Sequence, residues 1–184
     1  MSIYQLTREN IVYRWDDGVR STIPTSDSPI APNTNPDYIA YMAWIAAGGV
    51  PEPADPVPAT EVWERIKAER DRRKYLGVKV GENWFHSDDA SRIQQLSLVL
   101  MGQAMPAGIQ WKTLTSTPPP VFVTMTPALA LAIFNGTAAS DMAVFAAAEA
   151  HRVAMETSAD PGAYDFSGGW PVSVEDELHT VHRD

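Results

Sequence analysis

The side chains whose types and spacing could do chemistry are few in this 184-residue sequence. His179 and His182 stand three residues apart, with Asp184 beyond them. On a helix, two imidazoles at that spacing can share one metal, and Glu175 or Asp176 could complete the set. The pair falls in a chain end, where fraying is the default, and a metal site needs fixed ligands with a supporting second layer. His86 lies close to Asp88 and Asp89, a grouping with the chemistry of a general base, although a capping or packing role accounts for it better. His151 adjoins Arg152 and reads as a partly exposed helix residue. The carboxylate pairs Asp16-Asp17 and Asp88-Asp89 open a turn and cap a helix respectively, which local backbone physics explains. Ser167, in "DFSGG", has no histidine with a reason to approach it. A phosphate-binding glycine loop and a G-x-S-x-G nucleophile turn are both missing, and "GVKVG" has neither the spacing nor the lysine of the former. Without cysteine there is no thiol nucleophile, disulfide framework or Cys-ligated zinc. The expectation is a protein with no catalytic residues, no cofactor and no metal.

The elements that would position any site can be read from periodicity and turn chemistry. Apolar residues make up 45% of the chain, enough for a sizeable core. The formal charge is −9, which disfavours nucleic acid as a partner. It is uneven: residues 1–58 carry 3 basic and 7 acidic side chains, 59–125 carry 9 and 7, and 126–184 carry 2 and 9. The N-terminus lacks the pattern of a signal peptide. The longest unbroken apolar run, Ile39 to Ala47, is too short to cross a bilayer, so no membrane is expected.

"SIYQL" and "IVYRW" alternate as short strands, and Asp17-Gly18 marks a hairpin turn. A turn-rich connector, "PTSDSPIAPNTNP", follows. Asn35-Pro36 then starts a helix, placing Tyr38, Tyr41, Met42 and Ile45 at helical spacing with Trp44 beside them. A helix of three turns is unstable alone, so its apolar face needs cover from its own domain or from a partner. Four prolines between Pro51 and Pro58 predict a semi-rigid spacer. A charged helix, "ATEVWERIKAERDRRKYL", comes next, with Thr60 as its cap. "GVKVGENWFHSD" predicts a hairpin. Ser87 or Asp88 opens a third helix with Ile93, Leu96, Val99 and Leu100 on its apolar face, ended by Gly102. Two strands around a proline-bearing loop and an alanine-rich helix starting at Thr126-Pro127 complete the layout, with Asn135-Gly136 as a break in that helix. The fold class is α+β: a small N-terminal β-hairpin and helix unit at 1–50, a proline-rich linker at 51–58, an α+β domain at 59–171 with helices packed on a small antiparallel sheet, and an acidic tail at 172–184.

The stretches "ERDRRKYLGVKVGENWFHSDDASRIQQLSLVL", "IQWKT", the Thr126-Pro127 helix start, "FAAAEAHRVAM" and "GGWP" resemble the DUF4376 family, a domain of unknown function common in tailed-phage and prophage proteins. "DYIAYMAWIAAGGVPEPADP" resembles the segment that often precedes such domains and phage tail-fibre assembly domains. The resemblance implies a structural component of a bacteriophage tail, in the baseplate or at a tail-fibre attachment, assembled in the host cytoplasm and retained in the virion. The alternative it implies is a tail-fibre assembly chaperone that leaves. Either way it attaches no catalytic residues. The implied partners are other tail, baseplate or fibre proteins, met in multiple copies within a symmetric assembly. Tyr38, Tyr41, Trp44 and Ile45 are the expected partner-binding residues, an aromatic anchor ahead of a stiff spacer.

Overall fold

The computed structural model describes residues 3–9, 11–25, 32–115, 119 and 121–181, which separate into two units, Met1–Pro56 and Val57–Asp184. In the first, Asp17 and Gly18 both take positive φ (47° and 84°), the geometry of a two-residue hairpin turn. That turn joins β2 (Ile11–Asp16) to β3 (Val19–Pro24), and β1 (Ile3–Leu6) pairs with β2 on the other side. The expected hairpin is thus a three-stranded antiparallel sheet in the order β1-β2-β3. Alternation puts Tyr4, Val12 and Ile23 on one face, and all three are buried.

Helix α1 (Pro36–Ala46) begins as its sequence predicts: the Asn35 side chain accepts a bond from the Asp37 amide, with Pro36 in the first turn. Gly48, at φ +92°, follows its end. Gly49 has a different reason to be glycine, since a Cβ there would sit 2.3 Å from the Trp44 ring. The segment after α1 does not run free as a spacer. Glu52 forms a parallel bridge to Gln5, with the Leu6 amide donating to the Glu52 carbonyl and the Glu52 amide to the Tyr4 carbonyl, both at 2.8 Å. This covers the otherwise open edge of β1. The unit boundary consequently falls at Pro56–Val57, inside the stretch read as linker.

The second unit opens with α2 (Ala59–Arg73). Its cap position is Pro58, without a side-chain bond; Thr60 lies inside the helix, two residues past the position that could cap it. Hairpin β4 (Val78–Val80) and β5 (Asn83–Phe85) follows, then α3 (Asp89–Met101), whose start is capped by Asp88 accepting from the Ser91 amide. Strands β6 (Gln110–Lys112) and β7 (Phe122–Thr124) form a second hairpin. The expected single sheet is two separate two-stranded sheets, with an antiparallel bridge between Trp84 and Leu114.

Helix α4 (Pro127–Glu156) starts at the Thr126 cap and continues unbroken through Asn135-Gly136. The expected break is absent because Gly136 serves packing: a Cβ there would come within 3.2 Å of a Val78 methyl. Glycine lets β4 lie directly on α4. By length and composition α4 is also apolar enough to cross a bilayer, although an α-helix at the core of a soluble protein passes the same test. The helix contains no apolar run as long as Ile39 to Ala47, because its hydropathy is spread across alanines between polar residues.

Two clusters make up the core of this unit. Val78, Phe85, Leu98, Met125, Ala130 and Ile133 form one; Val62, Ile66, Ala148 and Met155 form the other, flanked by Tyr164, Phe166 and Trp170. Arg92 ties the parts together. Its guanidinium donates to both Asp141 oxygens (2.6 and 3.0 Å), to the Lys74 carbonyl (2.8 Å) and to the Ser87 carbonyl. The Ser87 hydroxyl donates to the same Lys74 carbonyl (2.8 Å) and accepts from the Gly77 amide (2.9 Å). Gln95, which is buried, donates to the His86 carbonyl at 2.7 Å. The inward face of α3 is therefore Gln95 and Leu98 with Val99 alongside. Ile93, Leu96 and Leu100, expected in the core with Val99, point outward.

Replacing Gly136 by leucine should destabilise the second unit by about 1–3 kcal/mol in urea unfolding, because the side chain would be driven into β4. A variant as stable as the parent would show that the α4–β4 contact imposes no limit at this position.

Candidate docking surfaces

The four residues expected to grip a partner are found together, but on their own sheet. Tyr41 is buried, and Tyr38, Trp44 and Ile45 pack around the cluster of Tyr4, Val12, Ile23 and Tyr41. The Tyr4 ring lies 5.2 Å from Tyr41 and 4.8 Å from Trp44, both tilted contacts. Arg14 on β2 pairs with Asp37 at the start of α1, which fixes the helix on the sheet. The greasy face of α1 is covered internally, the first of the two options its sequence allows. The other side of the helix leaves Ile39 and Met42 exposed.

The reactive candidates are dispersed. His86 lines an open depression with Ser91, Gln94, Gln110, Trp111 and Lys112, and among the described residues no carboxylate lines it beside the imidazole. Asp88 is occupied as a cap, and its bonds to the Ser91 hydroxyl and amide hold its pKa below the usual carboxylate value. His151 is buried rather than exposed. Its Nδ1 lies 2.9 Å from the Tyr164 hydroxyl and its ring 4.8 Å from Trp170, while Nε2 has no partner among the described residues. Helical spacing cannot show this, because the covering comes from residues 164–170. The His179 side chain, His182 and Asp184 lie outside what is described. The two acids that could have joined them in a metal site, Glu175 and Asp176, are engaged with arginines. Among the described residues no group of three or more histidine or acidic side chains could hold a metal ion.

Two surfaces stand out instead. The first is the outward row on α3, where Ile93, Leu96 and Leu100 are 67%, 41% and 78% exposed. Scattered apolar exposure is ordinary, but three large side chains at i, i+3 and i+7 make one continuous ridge.

The second surface lies in what was expected to be an acidic tail at 172–184. It is helix α5 (Val174–Val181), seated against the end of α2 and the β4–β5 hairpin. Arg72 Nη1 bonds Glu175 at 2.7 Å, and Arg73 Nη1 reaches both Asp176 (3.3 Å) and the Pro171 carbonyl (3.2 Å). Glu177 is held from two sides, by Lys79 Nζ at 2.6 Å and by the Trp84 indole N–H at 2.7 Å. Lys79 first and Trp84 second hold the Glu177 carboxyl below its ordinary pKa. For Asp176 burial pushes upward, but bonds from Ser173 and the charge of Arg73 outweigh it and the pKa is lowered. Elsewhere on α2 the charges pair among themselves: Lys67 with Glu64, Arg70 with Asp71, and both Arg72 and Arg73 with Glu69.

Comparison with known proteins gives one match. The profile of the DUF4376 family, described as a domain of unknown function, covers residues 57–168. No curated protein and no solved structure matches.

Tyr41→Ala should lower the unfolding stability of the first unit by roughly 3–5 kcal/mol, as for a buried aromatic, read by urea titration. A side chain used only for docking would leave that transition unmoved. The seating of α5 should depend on pH with a definite sign. Carboxyls whose pKa is lowered by folding contribute stability above their ordinary value of about 4, and that contribution is lost as pH falls through the lowered value. The Trp84 indole N–H resonance should therefore be constant from neutral pH down to about 4 and then shift, and Glu177→Gln should abolish the shift. An indole resonance indifferent to Glu177→Gln contradicts the assigned contact.

Proposed function

Since the chain belongs to the DUF4376 family through residues 57–168, we propose that it is a structural component of a bacteriophage tail, in the baseplate or at a tail-fibre attachment, working by protein–protein docking and not by catalysis. The observation that carries this reading is the α3 ridge of Ile93, Leu96 and Leu100, which lies within the family domain and outside its core. The tail setting rests on the resemblance carried by the "GVKVGENWFHSD" hairpin and the Thr126-Pro127 helix start.

The docking site assigned here replaces the aromatic set on α1, which is engaged by its own sheet. Burying an exposed leucine or isoleucine is worth about 1.5–3 kcal/mol. Three such residues barely offset an association cost of about 4–15 kcal/mol. A ridge of this size works best where several copies engage at once, as in a symmetric tail assembly. Its partner is another tail, baseplate or fibre protein presenting an apolar surface.

A departing chaperone is expected to offer a mobile, charged recognition helix. The charges of α2 are paired within the helix itself, Lys67 with Glu64 and both Arg72 and Arg73 with Glu69, which favours the retained component.

Mass spectrometry of purified particles should find the chain at fixed stoichiometry; its absence from particles that need it for assembly would establish the chaperone instead. Leu100→Glu combined with Ile93→Glu should reduce incorporation at least tenfold while leaving the unfolding transition of the purified protein in place. Normal incorporation of that variant would remove α3 as the contact.

A further inference from the structure

Four side chains from three elements converge on three consecutive acids. Arg72 and Arg73 come from the last turn of α2, Lys79 from β4 and Trp84 from β5; Glu175, Asp176 and Glu177 form the first turn of α5. We propose that Arg72, Arg73, Lys79 and Trp84 form a docking site for an acidic helix of a partner polypeptide, and that α5 occupies this site in cis as an exchangeable plug. The proposal does not depend on the tail assignment, since it concerns a binding surface of the isolated chain.

The receptor is built for a helix that begins with carboxylates. Acids in a first turn are favoured by the helix dipole, and cations in a last turn are favoured by theirs, so each partner stabilises the other's charges. Trp84 adds selectivity. It is a buried residue whose indole N–H reaches Glu177, so one carboxylate is clasped between a neutral donor and an ammonium group. Arg73 also donates to the Pro171 carbonyl in the segment leading into α5, and that segment caps itself, the Ser173 amide and hydroxyl donating to Asp176 at 2.8 and 2.7 Å.

The plug is held by contacts that can exchange. The ion pairs Arg72–Glu175 and Lys79–Glu177 have both side chains about half exposed. Such pairs are weak and screened by salt. The tether keeps α5 at high local concentration on the site. The receptor residues all lie within the family-matched region 57–168, whereas α5 lies outside it. Charge complementarity identifies the occupant: two arginines and a lysine face three consecutive carboxylates at the start of a helix.

The test uses the full chain carrying Glu175→Lys, Asp176→Lys and Glu177→Lys, and a fluorescent synthetic peptide of residues 171–184 as the probe. Fluorescence anisotropy should show the peptide binding this variant at least tenfold more tightly than the parent chain. Adding Arg72→Ala and Lys79→Ala should abolish that binding, and raising salt from about 0.05 to 0.5 M should weaken it. Equal binding to parent and variant overturns the proposal, as does no binding to a variant whose circular dichroism and unfolding transition match the parent. If the triple variant fails to fold, the milder Glu175→Gln, Glu177→Gln chain replaces it; failure of that folded chain to take up more peptide than the parent is equally decisive.

Discussion

The arrangement of the larger unit turns on Arg92. One guanidinium satisfies the carbonyl at the end of α2, the carbonyl at the exit of the β4–β5 hairpin and the carboxylate of Asp141 midway along α4. A half-buried cation needs that many partners, because each unmet donor would carry its desolvation cost without return. Meeting them sets the rotation of α3. With Arg92 and Gln95 turned toward the interior, residues about 100° further around the helix face away from it. Ile93, Leu96 and Leu100 occupy that sector. Their exposure is thus a consequence of a satisfied polar junction, and the ridge invoked for docking follows from the same geometry.

The small N-terminal unit meets a different constraint. A three-stranded sheet has one face to bury and two edges to protect. Helix α1 supplies the cover, with Tyr41 and Trp44 packed around Tyr4, and Glu52 pairs with the edge of β1. Aromatic rings suit this role in a unit too small for a thick aliphatic core, since each buries a large area with few rotatable bonds. The proline-bearing segment contributes main-chain pairing through Glu52, a residue placed between two prolines whose own nitrogens cannot donate.

Attachment strength is graded across the second unit. The α2–α4 contact is apolar, through Val62, Ile66, Ala148 and Met155, and it is reinforced by the packing of His151, Tyr164 and Trp170. The described contacts of helix α5 are those of Glu175, Asp176 and Glu177 with Arg72, Arg73, Lys79 and Trp84. Burial of apolar area is indifferent to moderate salt and pH, whereas half-exposed carboxylate pairs respond to both. The same domain therefore has a permanent side and an adjustable one.

Local physics made much of this legible in the amino-acid sequence alone. Asp17-Gly18 as a turn, Asn35-Pro36, Asp88 and Thr126-Pro127 as helix starts, and the hairpin around Gly81 are all decided by residues within a few positions of one another. The α+β class follows from their order. What tertiary structure decided was every question of which surface meets which. Periodicity shows that α3 has an apolar side, but not that Gln95 would find the His86 carbonyl and take the inner place. It shows that Tyr41 and Trp44 need cover, but not that Tyr4 provides it. Gly136 reads as a helix breaker until Val78 is set against it, and His151 reads as exposed until residues 164–170 fold over it. The acidic tail reads as a solvated stretch of charge until the cations of α2 and β4 are brought to it. Caps and turns are short-range and written in adjacent residues; burial and charge pairing belong to partners up to 103 positions apart, as in Arg72–Glu175, and exist only once the chain has folded.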